Sequence, residues 1–184
     1  MPESTLTKRA LAEALKTLMI ARPIEKISVG DICALCGMNR KSFYYHFRDK
    51  YDLVNWIFYA EFLERAKETR YGTSWDFFAD ITSYFYENRT FYVRAFEIQG
   101  QNSFNDYLAE VLHPIAFAYL IDEFEEDEDN RYYADFFTDA FRVSIVRWLR
   151  EYPDIKAEKI VTLLKKATYG IALRHKEEIE RAAD

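Results

Sequence analysis

Cysteine occurs only twice in the 184 residues, and glycine and proline together only nine times. Two thiols do not make a disulfide scaffold. So few turn residues exclude a many-turned β-sandwich or barrel. No stretch free of Asp, Glu, Lys and Arg is longer than Val111 to Ile121. That is well short of the ~20 residues a membrane-spanning helix needs. Met1 to Ser4 carries no apolar stretch of signal-peptide type. Positive charge is also in deficit, with 25 basic against 31 acidic side chains and a net charge of −6. Taken whole, that balance argues against a nucleic-acid binder. What is present in quantity is apolar: 49% of the residues, with fifteen Phe and fourteen Tyr. Such a chain buries a real core and is not disordered. A reduced, cytoplasmic setting is expected, with no membrane partner.

The charge is uneven. Residues 1–50 hold nine basic and five acidic side chains, a balance of +4, and residues 51–184 a balance of −10. A small basic head on an acidic body hints at a polyanion-binding module joined to a domain of another kind.

Helical periodicity dominates throughout. Residues 6–20 put Leu11, Ala14, Leu15, Leu18 and Met19 on one face, with Thr7 as the N-cap. Pro23 follows. Ser28 to Asp31 reads as a capping box opening a short helix to Cys36, with Ile32 and Cys36 inward. Gly37 ends that helix. Asn39 caps the next, which runs to His46 and turns Phe43 and Phe47 inward. A longer helix begins at Lys50 or Asp52 and reaches Arg70. Its apolar residues wrap beyond one stripe, so it is expected to lie between head and body and to act as a lever between them.

Further helices are predicted over 75–87 (capped by Ser74), 90–98 and 103–124 (capped by Ser103), with Pro114 kinking or splitting the last. Two long helices, 130–152 and 156–180, close the chain around Pro153. The first aligns Phe137, Phe141, Ile145 and Trp148; the second aligns Ile160, Leu164, Ala167 and Ile171. The seven acids within Asp122 to Asp129 read as a solvated loop and helix start.

The informative segment is 28–50: cap, short helix, glycine turn, short helix, aromatic exit. Two short helices joined by about three residues have helix-turn-helix geometry. With Phe43 inward, Arg40, Lys41, Ser42, Tyr44, Tyr45 and His46 leave a cationic, hydroxylated and aromatic outer flank. Such side chains donate to phosphates and to base edges in a major groove.

The stretch from Val29 to Leu53, above all Phe43-Tyr44-Tyr45-His46-Phe47 followed by Asp49-Lys50-Tyr51-Asp52-Leu53, closely resembles the DNA-binding segment of TetR-type transcriptional regulators. The final helix pair with Trp148 resembles the subgroup that regulates dihydroxyacetone-kinase operons. The resemblance implies an all-α fold of about nine helices. A three-helix helix-turn-helix head (1–50) would precede a C-terminal regulatory and dimerisation domain (51–184). It implies a homodimer on a pseudo-palindromic double-stranded operator, acting as a repressor released by a small-molecule effector or a partner protein. By position, Tyr44 and Lys50 meet phosphates and Ser28 donates from a helix start. Arg40, Lys41, Ser42 and Tyr45 face bases or nearby phosphates, which with Asn39 and His46 completes the DNA-contacting set. The last two helices would pair across the dimer through Phe137, Phe141, Ile145, Trp148, Ile160, Leu164, Ala167 and Ile171. The family often has a small residue where Lys41 stands, so base preference does not transfer.

Other patterns are read as packing. Cys33-x-x-Cys36 has no second pair to complete a zinc site. Glu110-x-x-His113 has no second copy to make a di-iron site. No catalytic set, metal or cofactor is implied, and no enzyme is expected. The body aromatics, among them Trp75, Phe78, Tyr84, Phe85, Tyr92, Phe96, Phe104, Tyr107 and Phe117, fit either an effector cavity or an ordinary core. The alternative function is a helical protein-interaction module or a coactivator-dependent activator.

Overall fold

The computed structural model describes the backbone of residues 3–100, 102–123 and 130–183, and the side chains of residues 4–100, 102–118 and 131–170. Most of these residues are helical and none lies in a strand. Helix α1 (Glu3–Ala21) is followed by a 3-10 turn (Ile24–Lys26), α2 (Val29–Leu35), α3 (Arg40–His46) and α4 (Lys50–Phe58). A π turn (Tyr59–Leu63) carries α4 without a break into α5 (Glu64–Glu68). The body continues as α6 (Ser74–Glu87), α7 (Arg89–Ala95), α8 (Phe104–Glu123), α9 (Asn130–Glu151) and α10 (Ala157–Ala183).

Local chemistry sets the boundaries. The Ser28 hydroxyl accepts from Asp31 N–H at 3.1 Å, and the Asp31 carboxylate accepts from Ser28 N–H at 2.8 Å. Gly37 takes the left-handed conformation (φ 70°) that lets the chain leave α2, and Met38 N–H closes the turn on Cys33 C=O at 2.8 Å. Asn39 Oδ1 accepts from Ser42 N–H at 2.8 Å. Asp49 caps α4 by accepting from both Tyr51 and Asp52 N–H. Ser103 caps α8 through Asp106 N–H.

Three expected boundaries differ. Helix α1 begins at Glu3, so Thr7 lies inside it. The cap of α6 is Thr73, whose capping box with Asp76 outcompetes Ser74. Helix α8 runs through Pro114 without splitting, because a proline removes only one donor and the flanking turns hold. Of the acidic run, residues 124–129 and the side chains of Asp122 and Glu123 lie outside the described residues.

One continuous core joins head and body. In the head, Leu11, Leu15, Met19, Ile32, Cys33, Phe43 and Phe47 are buried. Cys33, not Cys36, is the inward thiol, and burial pushes its pKa up; Cys36 is half-buried and donates to Ile32 C=O. In the body, Phe58 of α4 is the hub. It stacks on Phe62 and Phe85, at 5.4 and 5.5 Å between centroids, and meets Phe104 edge-on at 5.5 Å. Helix α4 is apolar on several sides because α1 and α8 each cover one of them. Phe78, Tyr84, Phe85, Tyr92, Phe96 and Phe104 therefore belong to the core, and Tyr107 lines a cleft described below.

Candidate nucleic-acid interface

Helices α2 and α3, with the tight turn at Gly37, form the helix-turn-helix unit. Phe43 is fully buried and packs against Phe47, whose ring also meets Trp56 of α4. Lys8 of α1 sits over both Phe47 and Trp56. This bracing fixes which flank of α3 faces out. Asn39, Arg40, Lys41, Tyr44 and Tyr45 are exposed, with Tyr44 58% and Tyr45 82% accessible; Ser42 and His46 are half-buried. Two large aromatic side chains, each touching a neighbouring ring by an edge, are left largely in water beside two cations. They suit stacking, hydroxyl donation and charge neutralisation along a duplex.

The remaining residues have narrower freedom. Ser28 is exposed, but its hydroxyl both accepts from Asp31 N–H and donates to the Asp31 carboxylate. Asn39 spends its carbonyl on the cap and keeps its amide N–H donors. Lys50 is half-buried and reaches inward, donating to Ile24 C=O at 2.7 Å and Ile27 C=O at 2.8 Å. Burial lowers its pKa. Its first job is to tie the 3-10 turn to α4, leaving one N–H for anything outside. His46 packs edge-on against Tyr45 and, through burial and the nearby Lys8 charge, has its pKa lowered from 6.5.

Two features escaped the sequence reading. Arg22 pairs with Asp31 at 3.2 Å, pinning the end of α1 to the start of α2. The Arg40 guanidinium folds back over Gly30, where a Cβ would lie 2.7 Å from Arg40 Nη2. Neither contact follows from local spacing.

The residues expected to pair across a dimer divide. Phe141, Ile145 and Trp148 are buried in the chain's own core. Phe141 stacks on Phe78 of α6 at 4.2 Å; Trp148 stacks on Tyr86 and donates its indole N–H to Ile155 C=O at 2.7 Å. Side chains already covered have little area to offer a second copy. Phe137, Ile160 and Leu164 are half-buried against the core, Ala167 is exposed, and the Ile171 side chain lies outside the described residues. Among the described residues, large exposed apolar side chains on α9 and α10 include Tyr132, Phe136, Val143, Leu163 and Tyr169.

An all-α chain with a braced helix-turn-helix head defines a class, the helix-turn-helix DNA-binding proteins. Comparison with known proteins narrows it. The family model "Bacterial regulatory proteins, tetR family" matches residues 8–57, and "Transcriptional regulator C-terminal region" matches residues 73–170. The chain belongs to the TetR family of transcriptional regulators. It is 31% identical over 99 residues to the HTH-type dhaKLM operon transcriptional activator DhaS of Lactococcus lactis subsp. lactis (strain IL1403). The match spans 53% of each chain, so about half the length of that relative. A solved structure, "Dihydroxyacetone kinase operon activator DhaS", matches with a TM-score of 0.61 and 24% identity over 89% of this chain and 96% of that one, a likeness of fold.

Proposed function

We propose that this regulator binds a pseudo-palindromic DNA operator as a homodimer through α3, and that a small molecule in a cleft of the body governs that binding. The observation that carries the DNA contact is the flank of Arg40, Lys41, Tyr44 and Tyr45, exposed while Phe43 and Phe47 anchor the opposite side. The exposed apolar groups Tyr132, Phe136 and Val143 on α9 and Leu163 on α10 support pairing through the last two helices. A dimer places two recognition helices in successive major grooves, one helical turn apart.

The cleft, of about 770 Å³, lies between the α4–α5 rod, the start of α6 and α8. Its size and apolar lining suit a small organic ligand. Tyr59 and Leu63, the first and last residues of the π turn, line it. Glu61, between them, instead accepts from Lys16 of α1 at 2.8 Å and from the Tyr84 hydroxyl at 2.8 Å. Tyr84 in turn shares a 2.7 Å bond with the fully buried Tyr92. The same turn therefore touches the ligand space on one side and the head on the other. A ligand that prefers one arrangement of the turn shifts the spacing of the two heads, and with it operator affinity.

Selection of bound sequences from random duplex DNA tests the reading. A palindromic site is expected, with binding abolished in the Arg40→Ala, Lys41→Ala double variant. In the parent protein, log affinity should fall with log salt by about 0.9 per neutralised phosphate. A sequence-blind profile that the variant leaves intact would overturn it. A promoter fusion carrying the selected site reads the sign of regulation, expected here to be repression.

A further inference from the structure

Resting on the reading of the cleft as an effector site, we propose that its ligand is an amphipathic organic monoanion with an aromatic ring, and that Lys67 is its counter-ion. Among the described residues that line the cleft, Lys67 is the one charged side chain. It is exposed, makes no ion pair among the described residues, and holds its ammonium 4.6 Å from the centroid of the Tyr59 ring. A cation kept at the mouth of an apolar space by an aromatic face is placed to meet one negative charge. Arg65, two residues earlier, pairs with Asp80 at 2.9 Å and does not line the space.

The walls specify the rest of the ligand. Tyr59, Tyr71, Phe77 and Tyr107 contribute aromatic rings, with Tyr71 and Phe77 edge-on at 5.4 Å. Tyr71 is fixed by donating its hydroxyl to Asp80 at 2.6 Å. The hydroxyls of Tyr59, Tyr107 and Ser74 make no hydrogen bond among the described residues, while Thr73 spends its hydroxyl on Asp76, which leaves three polar handles on an otherwise apolar surface. Glu110, near Tyr107, is exposed and outside the lining. One cation and three free hydroxyls cannot compensate a polyphosphate, and walls of aromatic and aliphatic side chains suit an apolar body better than a sugar. A ligand cation would meet Lys67 repulsively. A planar apolar body carrying a single carboxylate or sulfonate fits what remains.

The test uses the full chain without DNA and two probes of equal shape, 2-naphthoate and 2-naphthamide, titrated by calorimetry. Naphthoate should bind at least about tenfold tighter than the amide, a gap of about 1.4 kcal/mol. Lys67→Met, which keeps the stem over Tyr59 and removes the charge, should erase that preference and leave amide binding unchanged. Equal binding of the two probes by the parent protein, no binding of either at millimolar concentration, or a preference that survives Lys67→Met would each overturn the proposal. The parent comparison stands even if the variant fails to fold. Adding naphthoate to the complex with the selected operator separates the two readings. Binding with the charge preference but unchanged operator affinity would support the ligand class and overturn the effector role.

Discussion

The ion pair between Lys16 and Glu61 joins the DNA-binding head to the rod that passes the cleft, and its worth can be measured. Both side chains are about a quarter exposed, 23% and 29%, and their N···O distance is 2.8 Å. Fully exposed pairs contribute about 0.2–1 kcal/mol, whereas breaking a buried one costs about 3–5 kcal/mol. At this intermediate burial a coupling of about 1–2 kcal/mol is expected. Glu61→Gln is the right perturbation on one side, because the amide oxygen still accepts from the Tyr84 hydroxyl and only the charge is lost. Lys16→Met preserves the stem on the other. For a chain of this size 1 kcal/mol moves the Tm by about 2–4 °C. Each single variant should therefore melt about 2–8 °C lower, and the double variant little lower than either single one. Thermal and urea unfolding of all four proteins closes the cycle. Strictly additive losses, with a coupling near zero, would show that head and rod are held by packing alone. The proposed route from cleft to operator would then lose its polar link.

Phe136→Arg should turn a dimer into a monomer in light scattering with little loss of helicity. Trp148→Ala should instead unfold the body, costing about 3–5 kcal/mol in urea melts, because its indole is buried in its own chain. Gly30→Ala adds a Cβ that only the flexible end of Arg40 opposes, so it should stabilise the short α2 by about 0.5–1 kcal/mol and raise the Tm. The lowered pKa of His46 means that the folded head takes up the proton less readily than the unfolded chain. Stability should be complete above pH 6.5 and decline as the pH falls through the depressed folded value, and His46→Gln should flatten that part of the urea-midpoint profile.

The helix-turn-helix was legible because its determinants are local. Ser28 with Asp31, the positive φ at Gly37 and the Asn39 cap all act within a few residues of themselves, and Phe43 and Phe47 declare their side by spacing. What stayed hidden is long-range. Lys50 beside a recognition helix looks like a phosphate donor, but its carbonyl partners lie 23 and 26 residues earlier. An apolar stripe on α9 announces that it will be covered without saying by what. Helix α6 of the same chain covers Phe141, and the sequence alone could not distinguish that from a second copy. The cleft is assembled from three separate stretches, so Tyr59, Lys67 and Tyr71 gave no sign that Tyr107 would face them. The π turn shares the apolar pattern of the α-helices on either side and carries no signature of its own.

That wide turn has a consequence for how the chain tolerates changes of length. A π turn accommodates one surplus residue as a bulge while the helical segments before and after it keep their phase. Removing a single residue between Tyr59 and Leu63 would let the rod relax to uniform α geometry without rotating the head against the body. The same deletion one turn earlier, within Lys50–Phe58, would swing every downstream side chain by about 100° around the helix axis.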